Sequence, residues 1–178
     1  MTHCRAIFTA LVLVLATACS THTTKEPYPV IVADSQVVAE MASTRQTAAA
    51  NKQLAMYVLG ANWCHDSTDF ADLLADPTVA PLIQERYAVQ FINVGNLAHI
   101  KPFVTPYDMP IIYTTPTVLV VDPASNRLLN RVTASYWGTA STRNSADAYD
   151  YFQQFSATAI PPAPAKPSAA LQKALDSI

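Results

Sequence analysis

The stretch GANWCHDST, residues 60–68, gathers the side chains of this chain that are best suited to chemistry. An apolar run leads into it and a helical pattern leaves it, which sets Cys64 at a strand-to-helix join. A cysteine there is exposed at the end of a sheet and faces the unpaired N–H groups of a first helical turn. Both effects favour the thiolate, the reactive form. His65, when protonated, pushes the same way. Asp66 opposes it, although an acid in a first turn is also an ordinary helix start. Ser67 follows Cys64 by one turn, so its hydroxyl is placed to donate to the sulfur. Trp63 is expected to pack and to wall the site. Cys64, His65 and Asp66 are adjacent and cannot easily share one tetrahedral ion. His99 is the one other histidine between Cys64 and the chain end, so no metal and no other cofactor is expected.

Composition narrows the classes. The 178 residues are 51% hydrophobic and 13% charged, with a net charge of −2, which suits one globular domain plus tails. Lysine and arginine are few and scattered, so nucleic acid is not an expected partner. Only three glycines are present and no phosphate-cradling motif occurs.

The first residues read as an address. Arg5 precedes an apolar run over residues 6–16 that is too short to span a bilayer, and small residues and Cys19 follow. The segment LATAC resembles the lipobox of bacterial lipoproteins, with Ala16 where that motif usually has Leu, Val or Ile. The resemblance implies that Cys19 is lipidated and becomes the first residue of the mature chain. Ser20, rather than Asp, follows it. By the Gram-negative sorting rule this implies an exported protein on the periplasmic side of the envelope, held at the outer membrane. Cys4 would leave with the leader and Cys19 would carry lipid, so Cys64 would be the one free thiol.

Stepping out from Cys64, the elements that position it can be read by period. Residues 35–51 are helical, with Val37, Val38, Met41 and Ala42 on one face. Residues 54–61 read as a buried strand, 67–75 as a helix broken at Asp76-Pro77, 79–87 as a further helix, and 88–94 as a strand. Residues 95–113 hold Pro102, Pro106 and Pro110 and show no period. Residues 117–122 are a strongly apolar strand, 123–127 a turn, and 128–137 a strand of approximate alternation. Asn144 is an expected N-cap, with Asp147 three residues on. Ala148, Tyr151, Phe152 and Phe155 then share one face, and Tyr149 is also expected in the core or on the sheet. Asp69, Asp72 and Asp76 read as a solvated helix face. This order predicts an α/β fold, a central mixed β-sheet flanked by helices. The expected segments are 1–18 signal peptide, 19–34 lipid-anchored tether, 35–158 domain, and 159–178 Pro-rich linker and tail.

Over roughly residues 52–156 the chain resembles the thioredoxin superfamily. An apolar strand leads to WCHDS where that family has Trp-Cys-x-x-Cys, and TTPTVLVVD is similar to its loop in which a cis proline precedes a strand. The resemblance implies a thioredoxin-like fold, a cis Thr115-Pro116 bond beside Cys64, and substrate-binding roles for Trp63, Thr115 and Pro116. The departures are Ser67 at the position of the resolving cysteine and Val58 at the position of the buried acid. With both gone, a complete dithiol cycle is not available within the chain. What the resemblance leaves is monothiol–disulfide exchange on envelope proteins, with Cys64 as nucleophile and Ser67 and His65 as its tuning groups. The competing reading is a redox-inactive binding or adaptor lipoprotein on the same fold.

Overall fold

A computed structural model of the protein describes residues 26–97, 100–109, 112 and 114–157. The expected leader, Cys19, His99 and the Pro-rich tail lie outside these residues. The strand β1, Leu54–Gly60, is apolar throughout and all seven residues are buried, as befits a strand covered on both faces. It pairs in parallel with β2, Tyr87–Asn93, and antiparallel with β3, Thr117–Asp122. A two-residue strand, β4 (Arg127–Leu128), adds to β3, giving the order β2-β1-β3-β4. The mixed sheet expected from the sequence is present.

Alternation along β1 and β3 divides the core. Leu54, Met56, Val58, Val118 and Val120 face one side. That side is covered by α2 (His65–Ala75), α3 (Ala80–Arg86) and α5 (Ser145–Phe152). Ala55, Tyr57, Leu59, Leu119 and Val121 face the other, covered by α1 (Asp34–Asn51) and the short α4 (Lys101–Val104). On the first side Trp137 is fully buried, its ring stacked on Phe152 at 5.7 Å and tilted against Phe70 at 5.1 Å.

Several sequence expectations need correction. The strand expected over 128–137 ends at Leu128, because Asn130 takes over its pairing. The buried Asn130 amide accepts from Val120 N–H at 2.9 Å and donates to the Val118 carbonyl at 2.8 Å. The backbone is thereby released into two 3₁₀ turns, Arg131–Thr133 and Tyr136–Thr142. In α1, Val37, Met41 and Ala48 are buried while Val38 is exposed, so the buried stripe is narrower than expected. Tyr149 is exposed. Asp76 is more than a solvated residue: it accepts from Ser145 Oγ at 2.6 Å and joins the end of α2 to the start of α5. The tether expected to run through residue 34 joins the domain earlier, since Tyr28 is buried in the core. The capping box at Asn144 and Asp147 is present.

Candidate functional site

Cys64 is the N-cap of α2, in extended backbone after β1 and a turn. It is half-buried, and among the described residues it is the free cysteine. Its Sγ–H donates to the Thr115 carbonyl at 3.3 Å. The Thr115–Pro116 bond is cis, as the resemblance implied. Strand β3 begins directly after it, so antiparallel pairing with β1 brings two segments 51 residues apart to the same sheet end.

Burial alone would push the Cys64 thiol up. Hydrogen bonding from Thr115, from the Ser67 side chain, and from the backbone N–H groups of Ser67 and Asp66 outweighs it. The net effect holds the thiol below its ordinary value. The helix start therefore acts on the sulfur as expected. Ser67 is completely buried, and its Oγ has no hydrogen-bond partner of good geometry. It is a donor in reserve beside the sulfur.

The other expected site residues are placed less uniformly. Trp63 is 63% exposed, its indole N–H donating to the Gly95 carbonyl at 2.8 Å. It therefore does not pack into the core, contrary to expectation. His65 is exposed, and its Nε2 lies 3.9 Å from Asp66 Oδ2. Asp66 accepts from Ser141 N–H at 2.9 Å, which ties the first turn of α2 to the 3₁₀ segment. Burial raises the Asp66 pKa, and the Ser141 bonds and His65 more than offset it, so the net direction is down. Pro116 is buried. Among the described residues, no three His, Cys, Asp or Glu side chains converge as metal ligands.

Sequence reasoning missed Tyr28. It lies among polar and proline residues with no periodic signal, yet its hydroxyl donates to the Ser67 carbonyl at 3.3 Å. It also missed Asn62, whose side chain pairs with both backbone groups of Tyr28. The one available hint was Gly60, a glycine closing an apolar strand.

No family model matches the chain, and no curated protein matches it. Among solved structures it is similar to the disulphide isomerase from Xylella fastidiosa Temecula1. The TM-score is 0.61 at 23% identity, over 72% of this chain and 95% of that one. The likeness shows the fold: a thioredoxin-like mixed sheet flanked by helices.

Proposed function

We propose that this protein carries out monothiol–disulfide exchange on proteins of the cell envelope, held at the membrane through a lipidated Cys19. The observation that carries the reading is a half-exposed sulfur, acidified by the head of α2 and by two hydroxyls, 3.3 Å from the carbonyl that precedes a cis proline. The fold shared with a disulphide isomerase supports it.

In the exchange, the Cys64 thiolate attacks one sulfur of a substrate disulfide. A new S–S bond forms, the old one breaks, and the substrate's second sulfur leaves as thiolate and takes a proton from solvent. Deprotonation of Cys64 also removes the S–H bond to Thr115, which frees that carbonyl for a substrate N–H. Ser67 cannot form a second disulfide, so release needs another thiolate. A thiolate of the substrate itself gives isomerisation with no net oxidation; a small thiol gives reductive release.

Eight residues separate Cys19 from Tyr28, so the nine chain steps between them span at most about 32 Å. The lipid reading therefore keeps the sulfur near the membrane surface, on the periplasmic side of the outer membrane.

The test is disulfide trapping from envelope fractions with the full chain. Adducts that run apart on non-reducing gels, and vanish both on reduction and in Cys64→Ala, are expected. Cys19→Ala should release the protein from the membrane fraction. An adduct-free wild type, with every partner retained by Cys64→Ser, would overturn the exchange reading in favour of a binding module.

A further inference from the structure

Three residues of the GANWC–Ser67 stretch are arranged around a side chain from outside it. Asn62 Oδ1 accepts from Tyr28 N–H at 3.1 Å and its Nδ2 donates to the Tyr28 carbonyl at 2.9 Å, the double bond that a neighbouring strand would make. Asn93 Nδ2 holds the next carbonyl, that of Pro29, at 2.8 Å. Gly60 leaves the room: a Cβ there would lie 2.5 Å from Tyr28 Cζ and 2.6 Å from Ser67 Oγ. The ring stands edge-on to Phe91 at 5.3 Å, on the sheet face that carries Val58. Its hydroxyl is thus pinned under the first turn of α2.

The hydroxyl's own proton is engaged by the Ser67 carbonyl. The phenol oxygen keeps its lone pairs, and the buried, unpaired Ser67 hydroxyl lies near it, since a Cβ at Gly60 would meet both oxygens. Ser67 is also among the groups that pull the Cys64 thiol down. Ser67 has one proton to give and no fixed acceptor. A buried hydroxyl left unpaired is costly, so it takes the better acceptor of the moment. A thiolate is better than a phenol oxygen; a neutral sulfur is worse.

We propose that Tyr28 is a positioning residue of the thiol site, the alternative partner to which the Ser67 hydroxyl turns whenever the sulfur is neutral. Ser67 then points at the sulfur in the thiolate and at Tyr28 in the thiol and in the mixed disulfide. Burial raises the Tyr28 pKa well above the usual tyrosine range, the Ser67 bond offsets part of this, and the nearby Cys64 charge adds to it. The phenol stays protonated while Cys64 titrates. The ionisable groups next to Cys64 on α2 are Asp66, tied to Ser141, and the exposed His65; the cis-proline loop brings the Thr115 carbonyl.

The inference deepens the thiol-exchange reading and rests on it for the meaning of the mixed disulfide, but its test needs no exchange partner. The rate of Cys64 alkylation by iodoacetamide is followed against pH in the wild type, Tyr28→Phe, Ser67→Ala and the double variant. Tyr28→Phe keeps the ring and strands the Ser67 hydroxyl in the neutral state alone. Its alkylation midpoint should fall, with a roughly two- to tenfold faster rate below it, the size of one hydrogen bond. In the Ser67→Ala background the same change should have no effect. A purely structural Tyr28 would shift the profile equally in both backgrounds, or shift it upward, and either result overturns the proposal. A wild-type profile at the ordinary thiol value would count against the exchange reading while leaving the difference between backgrounds to decide the role of Tyr28.

Discussion

Thr115 meets Cys64 in two opposed ways. Its carbonyl accepts the S–H at 3.3 Å, which favours the neutral thiol, while hydrogen bonding from its side chain favours the thiolate. Burial pushes the thiol up; the side-chain bonds from Thr115 and Ser67, with two backbone N–H groups, pull it down further.

Thr115→Val keeps the shape and the carbonyl but removes the hydroxyl. Its Cys64 alkylation midpoint should rise toward the ordinary thiol value. Ser67→Ala should do the same more weakly, since Thr115 ranks above Ser67 among the lowering groups. A midpoint unchanged in Thr115→Val would show that the helix start alone acidifies the sulfur.

The same shift carries a stability signature. The folded chain holds the Cys64 pKa below the ordinary value of 9.0, so between the two values it binds fewer protons than the unfolded chain. This contribution is fully present above the ordinary value and is lost as pH falls through the folded value. Urea denaturation under reductant should therefore show wild type gaining stability relative to Cys64→Ala as pH rises through that window. A difference that is flat or falling with pH would contradict the lowered value.

Trp63, next to Cys64 in the chain, offers a largely exposed ring and one hydrogen bond to Gly95. Trp63→Ala should cost less than about 1 kcal/mol of stability. It should leave alkylation by iodoacetamide unchanged while reducing capture of disulfide-bonded peptides, which need an apolar wall to rest against. Equal loss in both assays would assign Trp63 to the sulfur's environment rather than to the substrate.

Asn130 joins β3 to the aromatic side of the core through three side-chain bonds, to Val120 N–H, the Val118 carbonyl and the Tyr151 hydroxyl. Asn130→Ala would orphan two backbone groups of a buried strand. A loss of about 2–4 kcal/mol in urea denaturation is expected. Asn130→Asp should lose nearly as much, because a carboxylate accepts from Val120 but donates to nothing.

The sequence by itself determined what depends on neighbours along the chain. Cys64 falls at the head of a helix because an apolar strand run and a helical period meet there. The seven buried residues of β1, the capping box at Asn144 and the apolar β3 are equally local, each written in a few consecutive side chains. Pro116 was legible through its motif. Only the tertiary structure decided which groups act on the sulfur. Thr115 lies 51 residues from Cys64, Tyr28 lies 39 from Ser67, and Asn62 lies 34 from Tyr28. His65 is the sulfur's neighbour in the chain, yet the first turn of α2 sends its side chain to solvent. Asn130 shows the same principle in the sheet, where one buried amide replaced a strand whose alternation was plausible on paper. Periodicity reports which face a residue occupies; hydrogen bonds between segments that meet only on folding leave no period to read.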